Sequence, residues 1–219
     1  MENDDRMVCN RFMEAANNCY YRNVPTSTDF LDIYKQNLFN TVIRELPPVQ
    51  YRFDGGYELA ERKVIMFLPQ DSEISDLPFL TLKVTPRNLH FTEKLNHRDY
   101  LGSIMGLGIK RDKVGDILLY DNCAYIFCMK SIAEYLTDNL LKIRNTYVTV
   151  TEISNEEFIY EPSYEVIKGS VASLRLDAVI ALGFNGSRSH ITSYIIDGKV
   201  SVNAVSYTHL RAHETRRHL

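Results

Sequence analysis

Apolar residues recur at helical spacing from the start of the chain, where Phe12, Ala15, Ala16 and Cys19 fall on one face of a predicted helix. After Pro25 a second periodic run puts Phe30, Leu31, Tyr34, Leu38, Val42 and Leu46 on one stripe. Pro47-Pro48 ends it, because proline lacks the backbone N–H and clashes inside a helix. The pattern then turns to strands. Tyr51-Arg-Phe53 alternates, Asp54-Gly-Gly56 marks a turn, and Val64 to Leu68 is an apolar run closed by Pro69, which together predict a hairpin. The acidic stretch from Gln70 to Asp76 reads as a linker.

From Leu80 the order becomes strand, helix, strand, strand, helix, strand. Leu80, Leu82 and Val84 form the first strand, up to Pro86. Asn96 is a good N-cap, with Asp99 suited to the helix dipole; Tyr100, Leu101, Ile104 and Met105 are the apolar stripe, and Gly106 and Gly108 end the helix. Residues 117–120 and 124–128 are strands joined by an Asp121-Asn122 turn. Ser131 and Glu134 are expected to form a capping box for a helix with core face Ile132, Leu136, Leu140 and Ile143. The last strand alternates Tyr147, Thr149 and Thr151 with Val148 and Val150. This βαββαβ order is the ferredoxin-like or RRM-like plan, which serves many functions. Glu152 to Ser170 reads as a connector. Beyond it Ser173 is placed to cap a helix carrying Leu176, Val179 and Ile180, Asn185-Gly186 to turn, and Ser187 to cap a helix carrying Ile191 and Ile195. Gly198 ends that helix and Val200 and Val202 begin a strand. The expected class is α+β.

Composition narrows the function classes. With 219 residues, 45% hydrophobic, 24% charged and a formal net charge of -3, the chain has the make-up of an ordinary folded protein rather than a disordered tail. No apolar run approaches a membrane span, and the acidic opening Met1 to Asp5 is unlike a signal peptide. Cys9, Cys19, Cys123 and Cys128 have no metal-site spacing and read as reduced thiols of a cytoplasmic protein. The charge is uneven: residues 77–116 carry 7 Lys/Arg against 4 Asp/Glu, much of it from Lys110, Arg111 and Lys113 on a loop between Gly108 and Gly115. That loop is either a solvated turn or an RNA contact.

Three pieces near the end, Arg175-Leu-Asp177, Ser187-Arg-Ser189 and Gly198 to Asn203, together resemble the αL (S4-like) RNA-binding domain named after the fourth protein of the small ribosomal subunit. The upstream chain, including Tyr100 to Asp116, resembles the YlmH-type RNA-binding proteins, and the likeness covers most of residues 8–204. It implies a helical and hairpin region over 1–76, an RRM-like domain over 77–153, a linker over 154–170 and an S4-like domain over 171–204. His190 and Ile191 depart from the family's basic and small residues. Residues 205–219 look like a translated sequencing adapter, so the S4-like domain reads as truncated; the metal site that His209, His213 and His218 suggest is given little weight.

The resemblance implies RNA contact by Arg175, Ser187, Arg188, Ser189, Lys199 and Asn203. The physical chemistry agrees. Ser187 and Ser189 open a helix whose free N–H groups and positive dipole end favour phosphate, and Arg188 adds a bidentate fork. Asp177 reads as structural, paired with Arg175. Tyr125 and Phe127 read as core or ordinary sheet residues. Pseudouridine synthases share Arg-Leu-Asp, but Ala178 to Leu182 does not continue their motif, and the glycines at 102, 106 and 108 are not a nucleotide fingerprint. The expectation is therefore a non-enzymatic protein without cofactor or metal, and the resemblance implies rRNA and tRNA on the large ribosomal subunit as its partners, in rescue or quality control of stalled translation. A pseudouridine synthase and a protein-interaction adaptor linked to cell division are the alternatives.

Overall fold

The computed structural model describes residues 3–70, 72, 76–88, 94–120, 123–154, 158, 166–197, 199–202 and 205–206. The chain divides into two units, Met1–Tyr160 and Glu161–Leu219. In the first, α1 (Asn3–Arg22) buries Cys9, Phe12, Ala16 and Cys19, whose three- and four-residue spacing puts them on one stripe. The stripe packs on Phe39 and Val42 of α2 (Ile33–Val42) and on Ile65 and Phe67. The second helix starts later than the periodicity predicts. Asp32 caps it, accepting from Lys35 N at 2.9 Å, while Leu31 exchanges backbone hydrogen bonds with Lys63 and so lies in a bridge. Strand pairing at Leu31 overrides its helical periodicity, and a 3-10 turn (Ile43–Glu45) replaces the helix's expected last turn.

The hairpin forms as expected, from β2 (Gln50–Asp54) and β3 (Val64–Leu68). A two-residue strand, β1 (Thr26–Ser27), pairs with the other edge of β3 and gives the order β1-β3-β2. β3 is buried at every position because both its faces are covered. Ile65 and Phe67 meet the helices, and Val64 and Met66 meet Phe30, Phe79, Phe127 and Met129. That second cluster crosses the domain boundary expected at 76, so the helical and hairpin region and the following sheet share a core.

The larger sheet contains β4 (Phe79–Pro86), β5 (Val114–Tyr120), β6 (Cys123–Met129), β7 (Lys142–Ile143) and β8 (Thr146–Ile153) in the order β5-β6-β4-β8-β7, every pair antiparallel. Helices α3 (His97–Gly106) and α4 (Lys130–Asn139) cover one face, packing Ile104 and Leu136 with Leu82, Val84, Ile126, Val148 and Val150 of the strands. Asn96 caps α3, and Asp99 reciprocates by accepting from Asn96 N at 2.9 Å, which completes a capping box. Gly108, at φ +80°, takes the left-handed turn after α3. The box expected at Ser131 and Glu134 does not form. β6 runs directly into α4 at Met129, and the Lys130 N–H donates to Pro78 O at 3.0 Å, a tertiary partner for a free helix-start donor. Of the expected core face, Leu136, Leu140 and Ile143 are buried, Ile132 is half-buried beside a buried Ala133, and Ile143 belongs to β7. The Asp121-Asn122 turn and most of the 70–76 linker lie outside the described residues.

The second unit holds α5 (Leu176–Gly183), α6 (Arg188–Ile196) and the antiparallel pair β9 (Ser201–Val202) and β10 (Val205–Ser206). Arg175, not Ser173, is the cap of α5. Leu176 and Ile180 of the expected stripe pack into the core beside buried Asp177, Ala178 and Ala181, whereas Val179 is exposed. Ile191 and Ile195 are buried as predicted, against Leu176, Ile180 and Val200. Among the described residues no helix is long and apolar enough to cross a membrane.

Candidate nucleic-acid interface

The α5–α6 turn is built by local chemistry. Asn185 adopts φ +49°, a conformation asparagine tolerates, and Gly186 N donates to Ala181 O at 3.0 Å, closing the end of α5. Ser187 then caps α6: its hydroxyl accepts from His190 N at 3.3 Å and lies 3.2 Å from the Ser189 hydroxyl. Ser187, Arg188 and Ser189 are exposed at the positive end of the helix.

A buried carboxylate organises the arginines beside this turn. Asp177 is 5% exposed, and its Oδ1 accepts from Arg175 Nε at 2.9 Å while Oδ2 lies 3.7 Å from Arg188 Nε. The hydrogen bond to Arg175 holds the Asp177 carboxyl below its ordinary pKa, with Arg188 adding to the effect. Arg175 is pushed up in return by the same hydrogen bond. The Arg188 side chain remains 53% exposed, and its terminal amino groups bond to none of the described residues. Lys199 is exposed, 2.9 Å from Asp197, which raises its pKa, and its Nζ stands 5.5 Å from the Tyr194 ring centre. The structure thus places Arg175, Ser187, Arg188 and Ser189 about the start of α6 and Lys199 just past its end. Asn203 and Gly198 lie outside the described residues, as do the three tail histidines.

The basic loop of the first unit is used differently from the sequence expectation. Lys110 is exposed. The Arg111 guanidinium turns inward and donates to the carbonyls of Val114 at 2.5 Å and Gly115 at 3.0 Å; burial, and then the charge of Arg62, pull its pKa down to about 10. Lys113 Nζ pairs with Asp29 at 2.6 Å. Arg111 therefore folds back on its own strand, Lys113 ties the loop to Asp29, and the exposed positive charge narrows to Lys110. At the centre of this junction is Arg62, which sequence patterning does not single out. It donates to the carbonyls of Val114, Phe30 and Arg111, and its own N–H, with that of Glu61, reaches the Asp116 carboxylate.

Phe127 is buried where the β2–β3 hairpin meets the larger sheet, stacked on Tyr57 with ring centres 5.4 Å apart. Tyr125 is half-buried beside Lys83. Among the described residues no group of three His, Cys, Asp or Glu side chains is placed to hold a metal ion.

Comparison with known proteins gives three likenesses. The family model described as "Putative RNA-binding domain in YlmH" matches residues 83–157, most of the larger sheet with its two helices. The "Ribosome-associated protein quality control protein P2" of Bacillus subtilis (strain 168) is 30% identical over 180 residues, spanning 80% of this chain and 68% of that protein. A solved structure, "Cell division protein ylmH from Streptococcus pneumoniae", superimposes with a TM-score of 0.59 at 20% identity, over 73% of this chain and 97% of that one, a likeness of fold. Identity sustained along four-fifths of the chain, with the YlmH model over its central sheet, shows that this chain belongs to the YlmH-type family of RNA-binding proteins.

Proposed function

We propose that this chain is a non-enzymatic RNA-binding protein of the translation machinery, which binds rRNA and tRNA on the large ribosomal subunit in the quality control of stalled translation. The name of the Bacillus subtilis relative supports the ribosomal setting. The observation that carries the reading is the α6 start: two hydroxyls, the N-terminal end of the helix and an Arg188 guanidinium beside a buried acid converge on one exposed turn. Such a constellation recognises phosphate oxygens and RNA shape in preference to sequence. Arg175, Ser187, Arg188, Ser189 and Lys199 form this surface, Lys110 adds a cation on the first unit, and a cytoplasmic location follows from the role. The order β5-β6-β4-β8 with helices after β4 and β6 supports an RRM-like reading of the middle region, and the two helices followed by β9 support an S4-like reading of the end.

The pseudouridine synthase alternative needs Asp177 as a reactive carboxylate. Its burial and engagement by two arginines favour a structural role instead. The test is binding of the full chain to large-subunit rRNA across a salt series, with co-sedimentation on isolated subunits. Arg188→Ala should weaken binding and lower the salt slope by about one. Unchanged affinity in Arg188→Ala removes the site, and uridine isomerisation that disappears in Asp177→Ala establishes the enzyme.

A further inference from the structure

A cavity of about 220 Å³ lies in the first unit, between α1 and the extended segment that runs from β1 to Leu31. One wall is a single stripe of α1, where Val8, Phe12 and Ala15 follow at helical spacing with Arg11 beside them. The other wall is the chain from Ser27 to Leu31. The fold holds this segment extended, because Thr28 N donates to Ile65 O at 3.0 Å and Leu31 exchanges hydrogen bonds with Lys63. Asp112 completes the lining, and its carbonyl accepts from Phe30 N at 2.8 Å, which joins the basic loop to the same segment. Lys35, in the first turn of α2, stands at the cavity as well.

The polar groups here are not paired off against one another. Arg11 is exposed and Lys35 half-buried, and neither side chain makes a hydrogen bond or ion pair with the described residues. Asp29, on the same wall, is already matched by Lys113 at 2.6 Å. Asp112 Oδ1 is buried with no hydrogen-bond partner among the described residues, a condition that buried carboxylate oxygens rarely sustain. The cavity therefore combines two uncommitted cations, an apolar lining and an acceptor that lacks a donor. Its volume falls below the roughly 300–1,000 Å³ of pockets for drug-sized ligands, so the ligand that fits is small.

We propose that this cavity binds a small carboxylate that carries an aliphatic body and a neighbouring N–H, the chemistry of an amino acid or of a peptide's last residue. The carboxylate meets Arg11 and Lys35, the aliphatic part lies against Val8, Phe12 and Ala15, and the N–H supplies the donor that Asp112 lacks. A ribose-phosphate chain suits the site less well, because it has nothing apolar to set against the α1 stripe and Asp112 repels it. The cavity and the α6 turn lie on different units, and neither reading rests on the other.

The test is ligand-observed NMR on the full chain, with N-acetyl-leucine, N-acetyl-leucinamide and 4-methylpentanoate as probes at matched ionic strength. N-acetyl-leucine should bind with a dissociation constant on the order of a millimolar or tighter, as suits so small a ligand. The amide lacks the carboxylate and 4-methylpentanoate lacks the N–H, so each should bind about fivefold more weakly or worse. Arg11→Gln and Lys35→Gln, at accessible positions, should each weaken N-acetyl-leucine by about fivefold at unchanged melting temperature. Asp112→Ala should bring N-acetyl-leucine and 4-methylpentanoate to within about twofold of each other, a change of selectivity that lost stability does not produce. Free leucine and a short peptide ending in leucine then separate the two sources: tighter binding of leucine identifies a free amino acid, and tighter binding of the peptide a chain terminus. The proposal is overturned if N-acetyl-leucine does not bind the unaltered chain, if its amide binds equally well, or if both cation variants bind it unchanged. It is equally overturned if those variants weaken binding of an rRNA fragment while sparing N-acetyl-leucine, since the two cations then serve RNA. None of these outcomes bears on the α6 site, which Arg188→Ala tests.

Discussion

The Asp177 carboxylate joins the starts of two helices, one oxygen 2.9 Å from Arg175 Nε and the other 3.7 Å from Arg188 Nε. The arginine that the RNA-binding reading depends on is thus held from behind by a buried acid, with its outer amino groups left exposed. Asp177→Asn keeps the shape and removes the charge. It should loosen Arg188, weaken RNA binding several-fold and cost about 1–3 kcal/mol in the stability of the second unit. Salt-resolved binding and hydrogen exchange of the α5 and α6 amides check both effects.

The same acid sets a pH dependence. Its folded-state pKa is depressed below the ordinary aspartate value of 3.8, so its contribution is fully present above that value and is lost as pH falls through the lower native one. The stability difference between the native protein and Asp177→Asn should be constant near neutrality and close below a pH of about 4. Denaturant titrations of both proteins at descending pH read it directly.

Lys110 and Arg111 are neighbours with opposite roles. Lys110→Ala removes an exposed cation, so it should lower the salt slope of RNA binding by about one with stability unchanged. Arg111→Ala leaves the carbonyls of Val114 and Gly115 without that donor, so it should cost about 1–3 kcal/mol in thermal or chemical unfolding. Lys113→Ala breaks a half-exposed pair with Asp29 and should change stability by about 1 kcal/mol at most.

Arg62 is expected to be the most sensitive polar residue of the first unit. Its guanidinium serves three carbonyls on separate segments, at Phe30, Arg111 and Val114. Arg62→Ala should destabilise the unit by about 3 kcal/mol, as orphaned buried acceptors do. Arg62→Lys should recover little, because a single ammonium cannot span the planar fork. Equilibrium unfolding of the three proteins decides it.

The thiols differ in access. Cys9, Cys19 and Cys128 are buried and Cys123 is partly exposed, with all four unbonded to one another. Burial pushes the Cys128 thiol up to about 12 and also raises Cys19. An alkylating reagent at mildly alkaline pH should therefore label Cys123 first, with the others reacting only on unfolding. Mass spectrometry of peptides from native and denatured protein distinguishes the sites.

What local sequence determines, it determined here. The α1 stripe, the β2–β3 hairpin, the Asn96 cap, the glycine-ended α3 and the Ser187 cap of α6 each rest on residues within a few positions of one another, so periodicity and capping chemistry suffice to find them. The constellation at α6 was legible for the same reason, since Ser187, Arg188 and Ser189 are consecutive. Partners far apart in the chain decided the rest. Leu31 left its helix for Lys63, α4 took its first donor's partner from Pro78 in place of Ser131, and Lys113 was drawn from the basic loop to Asp29. The covering of Phe127 by Tyr57 and the tether from Asp177 to Arg188 likewise join separate elements. A side chain's charge and size are written in the sequence, but whether it faces solvent or answers a buried carbonyl depends on which surfaces the fold brings together.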